Sequence, residues 1–415
     1  MSVPGTSRID LGWRSYTIII LFGCLVAMIG FGPRSSLGLF MPSMTAANNW
    51  SRDIFAFAIA LQMLLWGAAQ PVAGAFADRY GAPRVVCISA LLYAGGLAMM
   101  AYSTSAGALF FSAGVLIGFG LSGIGFTIVI GAFGKLLPVE WRTFSFGIAT
   151  AASSFGQFLF SPLAAGLNSA LHWQTTLLIF AAIVLLTMPL SLALAKPREA
   201  ANGAGQAESQ SVQQAVREAL STRSYILLVT GYFTCGFQLF FITVHLPAYL
   251  VDRGISVEIG AWTLAIIGLF NIIGSLGSGF LATRLPKRYM LAAIYTLRSL
   301  AILVFINLPA SPWIAMSFGA VIGLLWLSSV PPTQGIIAVI FGTRWLTMLA
   351  GLAFFNHQLG GFLGVWLGGL LYESSGSYTS IGSVTIALGS RSAVVSRPII
   401  EQPGARPGAA SAASW

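Results

Sequence analysis

Twelve apolar stretches, separated by short polar segments, run along the chain at 16–42, 53–73, 84–103, 107–133, 144–167, 174–195, 224–250, 259–282, 289–307, 312–340, 346–371 and 379–400. A helix needs roughly 20 apolar residues to cross a hydrocarbon core about 30 Å thick, and the first eleven stretches each hold enough. The pattern predicts an all-α membrane protein with twelve transmembrane helices. The last is weak: its sequence carries Arg391, Arg397 and many serines, and polar residues raise the cost of insertion. The first stretch is long, lacks a cleavage site of small residues and leads straight into further spans. It therefore reads as a retained helix and not as a signal peptide.

Charge orients these helices. Arg8 and Arg14 precede the first stretch, Arg79 and Arg84 lie in the second loop, and Lys135 and Arg142 in the fourth. Lys196, Arg198, Arg217 and Arg223 fall in the sixth loop, Arg284, Lys287 and Arg288 in the eighth, and Arg344 in the tenth. Arg391, Arg397 and Arg406 follow near the end, while the alternate loops hold only Arg52 and Arg253. Lys and Arg stay on the cytoplasmic side, so both termini are expected there, in a multi-pass protein of the cell inner membrane. The net charge of +10 then reflects orientation and contact with anionic membrane lipid, and no nucleic-acid partner is expected.

Composition fits: 56% of residues are hydrophobic and 8% charged, against about 25% charged in soluble domains. Cys24, Cys87 and Cys235 lie in apolar stretches without metal-ligand spacing, so neither a disulfide framework nor a zinc site is indicated. No nucleophile–base set and no phosphate-loop lysine occur. The chain is expected to be neither an enzyme nor a cofactor protein.

The segment 196–223 divides the chain. Its start is small and polar, like a linker, and Ser211 to Leu220 has the pattern of a short amphipathic helix. The expected organisation is a six-helix bundle over 1–195, a cytoplasmic linker over 196–223, a second six-helix bundle over 224–400 and a disordered tail over 401–415. The halves repeat. GAFADRYG at 74–81 aligns with GFLATRLP at 279–286, and Ile117-Gly118 with Ile322-Gly323. Gly147, Gly156, Phe158 and Leu159 align with Gly351, Gly360, Phe362 and Leu363. A parallel repeat of this kind suits alternating access, with substrate held between the halves.

The loop GAFADRYGAPR at 74–84 resembles the signature that follows the second helix of the major facilitator superfamily, G-x-L-A-D-R-x-G-R-K/R. Gly74, Ala77, Asp78, Arg79 and Gly81 match it. Phe76 replaces the leucine, Ala82 and Pro83 replace the first basic positions, and Arg84 restores one. The resemblance in organisation covers 16–371. It implies the major facilitator fold and a gating role for Gly74, Asp78, Arg79, Gly81 and Arg84, with Arg284 in the eroded second copy. In that family the Asp and Arg latch the halves in the outward-open state. Within it, bacterial monocarboxylate and oxalate/formate-type carriers look closest, on FGPRSSLGLFMP at 31–42 and GLFNIIGSLGSGFLATRLPKRY at 268–289. The chain departs from the oxalate/formate type in having no basic residue in its eighth and eleventh stretches.

Two cations interrupt the apolar pattern, Arg34 in the first stretch and Arg298 in the ninth, with no carboxylate within the stretches to pair them beyond Asp53 at the edge of the second. A bare cation at the bilayer centre costs roughly 2.5–3.5 kcal/mol on translocon scales. The partner this implies is a visiting anion. Arg34 follows Gly32-Pro33, where a proline frees backbone carbonyls, and Ser35 and Ser36 add hydroxyls. A guanidinium suits bidentate capture of a carboxylate. Candidate substrate-binding residues are therefore Arg34, Gln157, Asn271, Arg298, His357 and Gln358, with His357 also able to take a proton. Gln62, Gln238 and Gln334 read as polar glue between helices. The expected function is secondary transport of a small organic anion, a monocarboxylate, by a monomer, with proton symport and anion exchange both open. An exporter of hydrophobic drugs or metabolites and a non-transporting sensor or assembly factor are the competing readings. Gly114, where drug/proton antiporters of the superfamily carry an arginine, weighs against the first.

Overall fold

The computed structural model describes residues 14–195, 210–375 and 378–403, and these are helices and short connections. Helix α1 covers Tyr16–Asn48, α-helical to Ser35 and tightened to a 3₁₀ turn at Leu37–Phe40. Then follow α2 Arg52–Tyr80, α3 Ala82–Ala101, α4 Ala106–Leu136, α5 Val139–Ala170 and α6 Trp173–Leu194. A short linker helix, Val212–Ser221, starts with a capping box in which Ser211 and Gln214 satisfy each other's backbone amides. The second half holds α7 Arg223–Asp252, α8 Val257–Leu281, α9 Lys287–Asn307, α10 Pro312–Phe341, α11 Leu346–Ser375 and α12 Thr379–Ser396. The expected linker start at 196–209 and tail from 404 onward lie outside the described residues.

Nine of these helices are long and apolar enough to cross a membrane by themselves, and α5, α11 and α12 are more polar. Eleven such helices were expected. The physical reason lies in their packing. Helices α5 and α11 press their small and polar faces against the opposite half, α5 on α8 and α11 on α2, so less of their surface meets lipid. In α12, hydroxyls find acceptors. Thr385 donates to the Ile381 carbonyl at 2.7 Å and Ser396 to that of Ser392 at 2.7 Å, while Ser392 bonds Thr234 of α7 at 2.8 Å. The weak last stretch is thus a full 18-residue helix held by its neighbours.

The glycine repeat has a steric cause. A Cβ on Gly156 of α5 would lie 2.2 Å from the Met28 carbonyl oxygen of α1, and one on Gly360 of α11 would lie 2.1 Å from that of Phe233 on α7. One turn-set earlier, Gly147 meets the Ser275 carbonyl of α8 and Gly351 meets that of Gln70 on α2. The same helix in each half thus uses one glycine to touch its own first helix and another to touch the other half. The result is two related six-helix bundles facing each other across α2–α11 and α5–α8.

Candidate functional site

The arginine of α1 lies against α2 and α3 of its own half. Helix α1 continues through Pro33 to Ser35, so the break falls after Arg34 and not before it as the proline suggested. The two serines close the freed carbonyls: Ser35 donates to Gly32 at 2.6 Å and Ser36 to Pro33 at 2.9 Å. The Arg34 side chain is partly exposed, and its guanidinium carbon stands 5.7 Å from the Phe31 ring centre and 5.1 Å from that of Trp66 on α2. Its Nε is buried without a hydrogen-bond partner, and so is the hydroxyl of Tyr93 of α3, which lies against it. Buried polar groups are normally paired, so an orphaned donor on a cation points to a missing acceptor.

From Arg34 an aromatic path crosses into the second half. Trp66 packs on Phe354 of α11 at 4.9 Å between ring centres, and Phe354 stacks on His357 at 5.7 Å with ring planes 10° apart. His357 and Gln358 are both buried. Gln358 donates across the halves to the Met63 carbonyl at 3.4 Å, and its Oε1 stands 3.4 Å from His357 Nδ1. The Nε2 of His357 has no partner. Arg34 is therefore linked to His357 through the rings of Trp66 and Phe354, and Gln358 ties the same stretch of α11 to α2.

The remaining expected ligands are elsewhere. Arg298 was expected to bind substrate, and the structure places it beside the α10 break. It is 2% exposed and donates from Nε and Nη2 to the Leu325 carbonyl, and from Nη2 to that of Trp326 as well. Helix α10 is interrupted at 326–329, just before Pro331-Pro332, and the carbonyls left there take the guanidinium as their donor. Arg298 is a peg for that break. Asn271, also expected at the substrate, is fully engaged. Its amide donates to Ser154 of α5 at 2.7 Å, and its carbonyl accepts from Ser275 at 3.2 Å and from the Leu327 amide at 3.1 Å. It ties the α5–α8 seam to the α10 break. Gln157 is exposed on α5, one turn from Ser154 and apart from Arg34's ring cage. Of the residues read as glue, Gln62 bonds the Ala113 carbonyl inside a π-helical turn at Phe110–Leu116, and Gln238 bonds that of Thr385.

At the end of the bundle that carries most lysines and arginines, the signature loop makes a cross-half clasp. Helix α2 runs to Tyr80, seven residues past the expected end, so Asp78 lies inside it and is 5% exposed. Its carboxylate accepts from the Met348 amide at 2.8 Å and the Thr347 amide at 3.3 Å. These are first-turn amides of α11, so a residue of one half caps a helix of the other and meets the positive end of its dipole. Lys135 of α4 forms an ion pair with the same carboxylate. Sequence reasoning counted Lys135 only as a charge that sets orientation. A cavity of about 250 Å³ lies beside the clasp, lined by Asp78, Lys135, Thr343, Arg344 and Thr347 among others. Gly74 lets α2 approach, since a Cβ there would stand 2.5 Å from the Thr347 carbonyl oxygen. Gly81 makes the turn to α3 at φ 94°, a conformation that favours glycine. Arg79 and Arg84 are exposed at this end, Arg79 with its guanidinium 5.3 Å from the Tyr80 ring. Arg284 stacks at 4.2 Å on Phe280 within its own half.

Known proteins share this architecture. The chain is 26% identical over 390 residues to the uncharacterized MFS-type transporter YcxA of Bacillus subtilis, covering 92% of this chain and 93% of that one. It is 27% identical over 383 residues to human monocarboxylate transporter 11, covering 89% and 79%. Among solved structures, the E. coli fucose:proton symporter FucP superposes with a TM-score of 0.74 at 15% identity, over 92% of this chain and 99% of that one. The proton:xylose symporter XylE gives 0.71 at 14% identity, over 92% and 94%. Residues 14–365 match the family profile of the Major Facilitator Superfamily, and with the paired six-helix bundles and the clasped signature loop this makes the chain a member of that superfamily of membrane transporters.

Proposed function

We propose that the protein moves a small organic anion, a monocarboxylate, across the membrane by alternating access, with Arg34 as the partner of the carboxylate. The observation that carries this reading is the Arg34 guanidinium. It is partly exposed, caged by Phe31 and Trp66, and has an orphaned Nε. A carboxylate supplies acceptors for a planar fork of donors, and the aromatic walls accept the alkyl remainder. The relatives named as monocarboxylate transporters support the same substrate class.

The lysine- and arginine-rich end faces the cytoplasm of an inner-membrane carrier, on the positive-inside argument. The Asp78 clasp then shuts the cytoplasmic side, and the anion reaches Arg34 from outside. Release to the cytoplasm requires Asp78 to let go of the Thr347 and Met348 amides, with Arg79, Arg84 and Arg284 on the parting surfaces. The carrier works as a monomer, since both halves of the site come from one chain.

Equilibrium binding of labelled short-chain monocarboxylates to the purified protein tests this reading. Arg34→Gln should weaken binding on the order of 100-fold, since losing one partner of a desolvated charge pair costs about 3 kcal/mol. Arg34→Lys keeps the charge without the fork and should fall between. Unchanged affinity in Arg34→Gln would sink the proposal.

A further inference from the structure

A second polar cluster lies inside the C-terminal half and shares His357 with the site described above. Cys235 of α7 is fully buried. Its Sγ is 3.2 Å from Arg298 Nη1 and 3.3 Å from Ser329 Oγ, in the α10 break. The ring of His357, 4% exposed, adjoins the same thiol. Tyr232 of α7 and Tyr295 of α9, both buried, complete the surround. The ionisable groups facing the sulfur among the described residues are thus Tyr232, Tyr295, Arg298 and His357, and α10 adds only the Ser329 hydroxyl.

The charge balance of this cluster is unusual. The ion pairs among the described residues are Lys135–Asp78 and Lys287–Glu401, so Arg298 has no carboxylate. Carbonyl dipoles of Leu325 and Trp326 take its remaining donors, but they carry no net charge. A buried cation demands compensation, and its third donor, Nη1, is directed at the Cys235 sulfur. Thiols beside cationic groups ionise readily, and the thiolate is a charge-assisted acceptor.

We propose that Cys235 is the proton-carrying group of the transporter: a thiolate paired with Arg298 when unloaded, and a thiol when a proton is taken up. The balance is simple: thiolate and one proton become thiol, and the reverse returns the proton. This inference rests on the anion reading above. One anion gained at Arg34 and one proton gained at Cys235 leave the charge of the loaded carrier equal to that of the empty one, which describes electroneutral symport. The stacked path Arg34–Trp66–Phe354–His357 joins the two loading sites across the halves.

Two measurements on the full chain in lipid vesicles test it. The first is the infrared S–H stretching band as pH is lowered, in the parent and in Cys235→Ser. The parent should gain S–H intensity on acidification, and that gain should be missing from Cys235→Ser. A parent band that does not change with pH overturns the proposal without any transport assay or variant. The second is uptake of labelled monocarboxylate with and without an inward proton gradient. Cys235→Ser should lose at least ten-fold of the gradient-driven component, while Cys24→Ser, on α1, should keep it. An undiminished gradient response in Cys235→Ser overturns the proposal. If the parent moves no monocarboxylate at all, the substrate reading fails instead, and the infrared result still decides the ionisation of Cys235.

Discussion

Replacing Asp78 by Asn keeps its size and removes the charge from the clasp. The buried carboxylate holds two first-turn amides of α11 and the ammonium of Lys135. A hydrogen bond to a charged acceptor contributes about 1.5–3 kcal/mol and a neutral one about 0.5–1.5, so each amide loses roughly 1 kcal/mol. The dipole at the start of α11 adds about 0.3–1 kcal/mol. The Lys135 side chain is 17% exposed and can rehydrate, so its ion pair adds little. The total is about 2–3 kcal/mol against the clasped state, roughly a 30- to 150-fold shift. Hydrogen exchange at the first turn of α11, followed by mass spectrometry in lipid discs, reads this directly. Protection of Thr347 and Met348 should fall by about that factor in Asp78→Asn. Equal protection in parent and variant would refute the idea that Asp78 holds the halves together.

Glycine-to-alanine changes at the repeated contacts should destabilise by about 1–3 kcal/mol each, because backbone stands in the way of the new methyl. Thermal unfolding in detergent should show lower midpoints for Gly156→Ala and Gly360→Ala. Gly166→Ala, where the added carbon meets open space, should leave the midpoint unchanged or raise it. Arg298→Met leaves the Leu325 and Trp326 carbonyls without their donor, at about 1–3 kcal/mol per orphaned acceptor. Its unfolding midpoint should drop clearly, and a midpoint equal to the parent's would remove the peg role.

The positions of the spans were readable because lipid demands unbroken apolar surface, and eleven of the twelve expected starts lie within two residues of the observed helices. The reading failed where protein replaces lipid as the neighbour. Residues 74–80 turn small and polar, so the pattern ended α2 early, yet the helix continues because its last turns pack on α11. The clasp partners of Asp78 are backbone amides, which any residue supplies, so no sequence signal marks them. Arg298 stood out as a buried cation, while Pro331-Pro332 lies just past the break in α10. Nothing in the spacing showed that the first answers the second, since α9 and α10 must be packed before the guanidinium reaches Leu325. Tyr93 went unnoticed as one aromatic among many until the fold set its hydroxyl beside Arg34. The repeated glycines were legible as a pattern, and the structure supplied their cause.

The central claim is that Arg34 captures a carboxylate between the two halves, and it meets its most direct test in reconstituted vesicles. Initial uptake of a panel of labelled carboxylates and of neutral apolar compounds should be compared between the parent and Arg34→Gln at matched amounts of folded protein. The account predicts monocarboxylate uptake by the parent and none above background by Arg34→Gln. Uptake of a monocarboxylate that survives Arg34→Gln, or transport confined to the neutral compounds, would contradict it.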